Sequence, residues 1–168
     1  MCNECHTPTV FDPELKIPVK DMSRMLSGHP EGAPDPEGKS VGHDMAVIGP
    51  TFTSFNLPFG TVYTANLTPD KETGLGNWTE KNFVGTFRIG RHLGLEDGIP
   101  LLPPMPWEYV ANLNDADLKA IFAYLQSIPA IKNQVPSPKV PQEVIQGMSE
   151  TLDKVMAKMA GKATPSKK

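Results

Sequence analysis

Cys2-Asn3-Glu4-Cys5-His6 sets two thiols one helical turn apart, with an imidazole directly after the second. A Cys-x-x-Cys-His run is the attachment signature of a c-type haem. Both sulfurs can add to the porphyrin vinyl groups from one side of the ring, and the adjacent histidine falls beneath the iron as its proximal ligand. These are the only 2 cysteines in 168 residues, so none is left for a disulfide framework. A structural zinc site would want two more ligands at close spacing, yet His29, His43 and His92 are isolated. A redox dithiol would sit after a strand in a βαβ setting, and Thr7-Pro8-Thr9-Val10-Phe11-Asp12-Pro13 carries no helical period that would suit one. The motif predicts one covalent haem c on Cys2 and Cys5, with His6 on the iron.

A second ligand is sought in Gly98-Ile99-Pro100-Leu101-Leu102-Pro103-Pro104-Met105-Pro106-Trp107. A thioether is a weak iron ligand, so a loop that is already rigid favours the bond over one that must be ordered by it. Pro104 and Pro106 restrict the backbone on both sides of Met105 and Pro103 extends the restriction, which keeps the segment out of a helix. Most methionines merely fill core gaps, but a proline clamp is a costly way to hold a packing residue. Met105 is therefore assigned to the iron. Met22, Met25 and Met45 compete from a less constrained block, and His92 is the best histidine alternative.

Composition bounds the remainder. The length suits one ordinary domain, while 18 Pro and 14 Gly point to much irregular structure, for which a haem can substitute as core. A net charge of -3 argues against nucleic-acid binding. No apolar run approaches a transmembrane length. Haem attachment belongs to the exported, oxidising side of the bacterial membrane, yet no signal peptide precedes Cys2, so something upstream is expected to be missing: either a leader and the start of the first helix, or the rest of a longer protein of which this chain is a fragment.

Residues 13–60 read mostly as loop. Phe52, Phe55, Phe59 and Tyr63 argue that the loop wraps on the core, leaving only 32–40 mobile, with a short helix expected over 21–26. Residues 66–78 form a turn-rich connector whose acidic residues fit no calcium loop. Thr79 caps a helix carrying Phe83, Val84 and Phe87 that stops between Gly90 and Gly94. Asn114 caps a helix striped by Leu118, Ile121, Phe122 and Leu125 and closed by Pro129. After a stiff linker at 135–141, Val144, Ile145, Met148, Leu152, Val155, Met156 and Met159 stripe a last helix that Gly161 can end, before a frayed tail at 163–168. Its methionine-rich face suits an adaptable contact, although packing on its own domain is the commoner use.

The order Cys-x-x-Cys-His-Thr-Pro, Leu26-Ser27-Gly28-His29-Pro30, Asn66-Leu67-Thr68-Pro69-Asp70, Gly74-Leu75-Gly76-Asn77-Trp78, Pro103-Pro104-Met105-Pro106-Trp107 and 117–125 resembles a bacterial class I c-type cytochrome. In particular it is similar to single domains of the cytochrome subunits of membrane alcohol, aldehyde and gluconate dehydrogenases. The resemblance covers about 2–136. It implies an all-α, cytochrome c-like fold of short helices and long Pro/Gly-rich loops around one haem, with the first helix truncated here. It implies a monohaem domain over 1–136, followed at 137–168 by the linker, the amphipathic helix and a basic tail. It also implies that Cys2 and Cys5 hold the haem, that His6 and Met105 are its axial ligands, and that Asn66, Trp78 and Arg91 are candidates for the propionate edge.

The function expected is electron transfer, not catalysis. The iron would cycle between Fe(II) and Fe(III) in the periplasm, between a donor such as a dehydrogenase and a respiratory acceptor such as a terminal oxidase or another cytochrome. The alternative is a haem enzyme or gas sensor whose distal position is open or labile. No distal His and Arg pair in one motif supports a peroxidase-like site.

Overall fold

The computed structural model describes residues 2–35 and 45–162, with side chains through 158. His43, residues 36–40 of the stretch expected to be mobile, the side chain of Met159 and the tail 163–168 lie outside the described residues. The chain divides into two compact units, Met1–Trp78 with Ala120–Val140, and Thr79–Lys119 with Pro141–Lys168.

In the first unit, α1 (Cys2–His6) has 5 residues, too few to persist as an isolated helix. Tertiary bonds fasten it. The Thr7 hydroxyl donates to Asn3 Oδ1 at 2.5 Å and accepts the Leu26 N–H at 2.8 Å. The Gly28 N–H reaches the His6 carbonyl at 2.8 Å, and Lys20 Nζ donates to the Glu4 carbonyl. Strands β1 (Thr9–Asp12) and β2 (Ile17–Lys20) form an antiparallel hairpin. Its turn is closed by Asp12 Oδ1, which accepts the Glu14 and Leu15 N–H groups. Strands β3 (Val47–Ile48), β4 (Ser54–Leu57) and β5 (Gly60–Tyr63) make a second antiparallel sheet in the order β3-β4-β5.

These two sheets overturn the all-α expectation: the fold mixes helices with antiparallel strands. The Gly and Pro density of 13–60 marks turns between short strands as well as loops. Pro58-Phe59 is a two-residue connection between paired Leu57 and Gly60. Val10, Ile17, Val19, Val47, Ile48, Thr61 and Val62 are β-branched and occupy the ladders, as their stiffness at χ1 favours. The helix expected over 21–26 shrinks to one 3-10 turn, Met22–Arg24, capped by Asp21. The expected linker is partly tied down, since Lys139 and Thr61 exchange backbone hydrogen bonds at 2.8 and 3.1 Å. Among the described residues, Leu26, Val62, Leu75, Phe122 and Leu125, with Pro8, are buried apolar residues of this unit.

In the second unit, α2 (Glu80–Ile89) begins with a capping box, in which Thr79 Oγ1 accepts the Asn82 N–H and Asn82 Oδ1 accepts the Thr79 N–H. It ends at Gly90 with φ 67°, a left-handed position that suits glycine. A 3-10 turn follows at His92–Gly94. Phe83 and Phe87 pack edge to face with centroids 5.1 Å apart. The short helix α3 (Trp107–Val110) has no counterpart among the elements expected from sequence. Helix α4 (Asp115–Ser127) starts in this unit and ends in the first, with Asn114 Oδ1 accepting the Asp117 N–H as its cap. Helix α5 (Gln142–Lys162) runs through Gly161 without stopping. Among the described residues, no helix is long and apolar enough to cross a membrane.

Candidate haem site

His6 is 8% exposed, and its Nδ1 lies 2.8 Å from the Ala65 carbonyl oxygen. A carbonyl oxygen can only accept, so the proton sits on Nδ1 and Nε2 keeps its lone pair. Burial pushes the imidazole pKa down, opposed in part by the bond to Ala65, so the ring is neutral at ordinary pH. A histidine oriented through Nδ1–H by a carbonyl, with Nε2 presented, is the usual arrangement of a metal-binding imidazole. Among the described residues, no hydrogen bond engages His6 Nε2. Cys2 and Cys5 lie three positions apart on the same helix, both free and exposed. The donor set of one short helix thus fits a c-type haem: two accessible thiols and a pre-oriented imidazole. No group of three or more His, Cys, Asp or Glu side chains is placed to hold a bare metal ion among the described residues.

The Ala65 carbonyl is aimed by a knot of buried residues to which sequence reasoning gives no role. Residues 26–29 run between α1 and 64–67: Gly28 N–H bonds His6, His29 N–H bonds the Thr64 carbonyl at 3.0 Å, and Leu67 N–H bonds the Leu26 carbonyl at 2.9 Å. Gly28 has φ +76°, and a Cβ there would stand 2.5 Å from the Thr64 oxygen and 2.6 Å from both the carbon and oxygen of the Ala65 carbonyl. Asn133, 1% exposed, closes the knot. Its Nδ2 donates to the Ser27 and His29 carbonyls at 2.6 and 2.9 Å, while its Oδ1 accepts from Arg24 Nη2 and the Glu31 N–H. His29 is fully buried, with Nδ1 2.9 Å from Thr53 Oγ1 and its ring 4.9 Å from that of Tyr63.

Asn66, a haem-edge candidate, is 3% exposed. Its Nδ2 donates to Thr73 Oγ1 and the Ile131 carbonyl, and its Oδ1 accepts the Thr68 N–H and hydroxyl. A propionate would have to compete with these bonds. Trp78, the second candidate, is half-buried at the end of the same connector.

The remaining predicted residues belong to the second unit. Met105 is half-buried, and the preceding backbone is pinned to the end of α2 by Leu101 N–H to the Gly90 carbonyl and His92 N–H to the Ile99 carbonyl, both 2.9 Å. The Pro103–Pro104 peptide is cis. The Trp107 ring lies where a Cβ on Gly90 would be, 2.6 Å from that point, so Gly90 serves the helix end and the Met105 loop together. Met105 borders an apolar cavity of about 800 Å³, shared with Leu101, Trp107, Met148, Leu152 and Met156.

Arg91 is 6% exposed, with Nη1 on the Gly98 carbonyl and Ser149 Oγ and Nη2 on the Ser149 carbonyl and Asp153. His92 is exposed on its 3-10 turn, with its pKa lowered by partial desolvation. Of the competing methionines, Met22 and Met45 are each 58% exposed, and Met25 is half-buried beside Ile128 and Ile131.

No protein-family model matches the chain. It is 39% identical over 84 residues to a subunit of the nicotinate dehydrogenase of Pseudomonas putida, a match covering 50% of this chain and 7% of that protein. It is 37% identical over 82 residues to the cytochrome c subunit of alcohol dehydrogenase (quinone) from Gluconobacter oxydans, covering 47% and 16%. Against the fructose dehydrogenase cytochrome subunit of Gluconobacter japonicus it is 36% identical over 91 residues, covering 51% and 18%. The chain thus spans less than a fifth of the length of these relatives. Over about half of its own length, it is a homologue of the cytochrome c subunits of dehydrogenases, the class its motifs resemble.

Proposed function

We propose that the chain is an electron carrier holding one haem c, joined through thioethers to Cys2 and Cys5, with His6 as proximal and Met105 as distal ligand. The observation that carries this reading is the imidazole of His6, buried, fixed by the Ala65 carbonyl and placed on the helix that exposes both thiols. When bound, a haem with His/Met ligation supplies a one-electron couple of raised potential and no open position for a substrate. The work of the protein is to orient the imidazole, supply the thioether from a proline-stiffened loop and limit water around them.

By analogy with the named relatives, the donor is a dehydrogenase, and the acceptor is a respiratory protein such as another cytochrome or a terminal oxidase, on the exported side of the membrane. Residues 1–136 are proposed as the cytochrome domain and 137–168 as an appendage. A second reading, a haem enzyme or gas sensor with a labile distal position, draws on the cavity beside Met105, which leaves room for an added small ligand.

The test is the visible spectrum of the oxidised protein, made with an export signal and haem-attachment machinery. A c-type spectrum with the weak far-red band of sulfur-to-iron ligation supports the carrier. Met105→Ala should keep the covalent haem while losing that band and the high potential; an unchanged potential refutes the ligand assignment. Rapid carbon monoxide binding to the reduced wild type would establish the second reading instead.

A further inference from the structure

We infer that α5 is the outer wall of the Met105 cavity and that Arg91 is the positioning residue that fastens it there. The inference rests on the assignment of Met105 as distal ligand. Val144, Met148, Leu152 and Met156 recur every four residues along α5, and all four line the same cavity as Met105. Among the described side chains of α5 they are half-buried together with Ile145 and Ser149, and the other positions are exposed. An apolar wall on this side keeps water from competing with a thioether for iron, which matters because the thioether is the weaker ligand of the pair.

Arg91 links this wall to the Met105 loop. Its backbone stands opposite Pro100 in an isolated bridge, so it is fixed to the strand-like start of the loop. Its guanidinium spans from the Gly98 carbonyl on that loop to the Ser149 hydroxyl and carbonyl and to Asp153 on α5. The arginine side chain is 7% exposed while its carboxylate partner is 68% exposed. The charge is therefore buried between the loop and the wall, and the planar fork of arginine, with donors in two directions, joins both segments at once. Lysine could not make the same set of bonds. Of the two uses that sequence patterning leaves open for this methionine-rich face, an adaptable contact with a partner and packing on its own domain, this geometry favours the second.

The experiment compares the wild type with Arg91→Ala, Arg91→Lys, Asp153→Ala and Leu152→Ser, and with Lys154→Ala as an exposed control on the same helix. Three quantities are read: carbon monoxide association with the reduced haem protein, the far-red sulfur-to-iron band, and hydrogen exchange of α5. The last needs no haem and reports the wall even where haem incorporation is poor. Loosening of the wall is expected to speed carbon monoxide association about tenfold in Arg91→Ala and Leu152→Ser, a change of about 1.4 kcal/mol in barrier. The band should weaken and α5 should exchange faster. Asp153→Ala and Arg91→Lys should lie between these and the wild type, and Lys154→Ala should not differ from it. Wild-type exchange and carbon monoxide rates in Arg91→Ala and Leu152→Ser would overturn the inference while leaving Met105 on the iron. A wild type that lacks the far-red band would overturn the ligand assignment and the inference with it.

Discussion

Replacing Gly28 by alanine changes no predicted ligand, yet it should disturb the site. The backbone there has φ +76°, and holding an L-residue in the left-handed region costs about 1 kcal/mol. The new Cβ would stand 2.5–2.6 Å from the Thr64 oxygen and from the carbon and oxygen of the Ala65 carbonyl. Those neighbours are backbone atoms, so the clash can be relieved only by moving one chain segment off the other, at a cost of about 1–3 kcal/mol typical of overpacking. The lower entropy of the unfolded alanine chain returns about 0.5 kcal/mol. The net expectation is a loss of about 1.5–3.5 kcal/mol, which at a urea slope of about 2 kcal/mol/M lowers the unfolding midpoint by roughly 0.8–1.8 M. Gly32 supplies the control. It has φ +74° but nothing within 4 Å of the Cβ position, so Gly32→Ala should show only the backbone strain, about 1 kcal/mol or less. Urea denaturation of the haem-loaded protein and both variants decides the matter. Equal midpoints for Gly28→Ala and Gly32→Ala would refute the claim that the close approach of 28 to 64–65 holds the Ala65 carbonyl in place.

Asn133→Ala should lower stability by about 2–4 kcal/mol in the same assay, because it strands the Ser27 and His29 carbonyls and the donors of Arg24 and Glu31 in a site that is 1% exposed. Gly147→Ala, with nothing within 4 Å of its Cβ position on α5, should stabilise the helix by about 0.5–1 kcal/mol and raise the thermal midpoint; a fall would mean that α5 is not helical at that position. The pH dependence should carry a signature of His29. Burial pushes its pKa below the ordinary 6.5, opposed by the Ala33 carbonyl and Asp35. As the pH falls, the unfolded chain therefore takes up this proton first. The contribution is fully present above 6.5 and is lost progressively as the pH drops toward the depressed folded value, at a rate of at most about 1.4 kcal/mol per pH unit. Urea midpoints at two pH values should differ less in His29→Asn than in the wild type, whatever the absolute stability of the variant.

Much of the helical framework was legible because its signals are local. Thr79 and Asn114 cap α2 and α4 through side chains that reach only three residues along the chain, and in the stripe Leu118, Ile121, Phe122 and Leu125 all but the half-buried Ile121 are buried. The sheets were not legible. Their strands are 2–4 residues long, too short for a period of two to stand out, and the glycines and prolines that turn the hairpins read equally well as loop. At the site, the Cys2, Cys5 and His6 pattern was plain, while its support was hidden for two reasons. The acceptor for His6 is a backbone carbonyl 59 residues away, a group every residue carries and no motif marks. Asn133 bonds carbonyls 104 and 106 residues distant, and a single asparagine after a helix looks like any turn residue. Gly28 is visible in the sequence only as one glycine in the run Leu26-Ser27-Gly28-His29-Pro30, since its φ, its burial and its neighbours are properties of the folded chain.

The contrast on α1, thiols outside and imidazole inside, follows from this hidden support more than from the helix. A five-residue helix cannot choose which face to bury; the bonds from Leu26, Gly28 and Ala65 choose for it. Each is worth about 1 kcal/mol net, so losing the register of 26–29 should free the His6 ring although every ligand remains in the sequence. Two kinds of variant are then separable. Met105→Ala should lower the potential with little effect on the urea midpoint, because it removes the proposed distal ligand from a half-buried position. Gly28→Ala and Asn133→Ala should lower the midpoint first and perturb the haem spectrum only in proportion, because they act on His6 through its scaffold. Measured on one set of proteins, midpoint and far-red band should fall together for the scaffold variants and apart for the ligand variant. A Gly28 variant that kept full stability but lost the band would place Gly28 in contact with the haem and show that this division of roles is wrong.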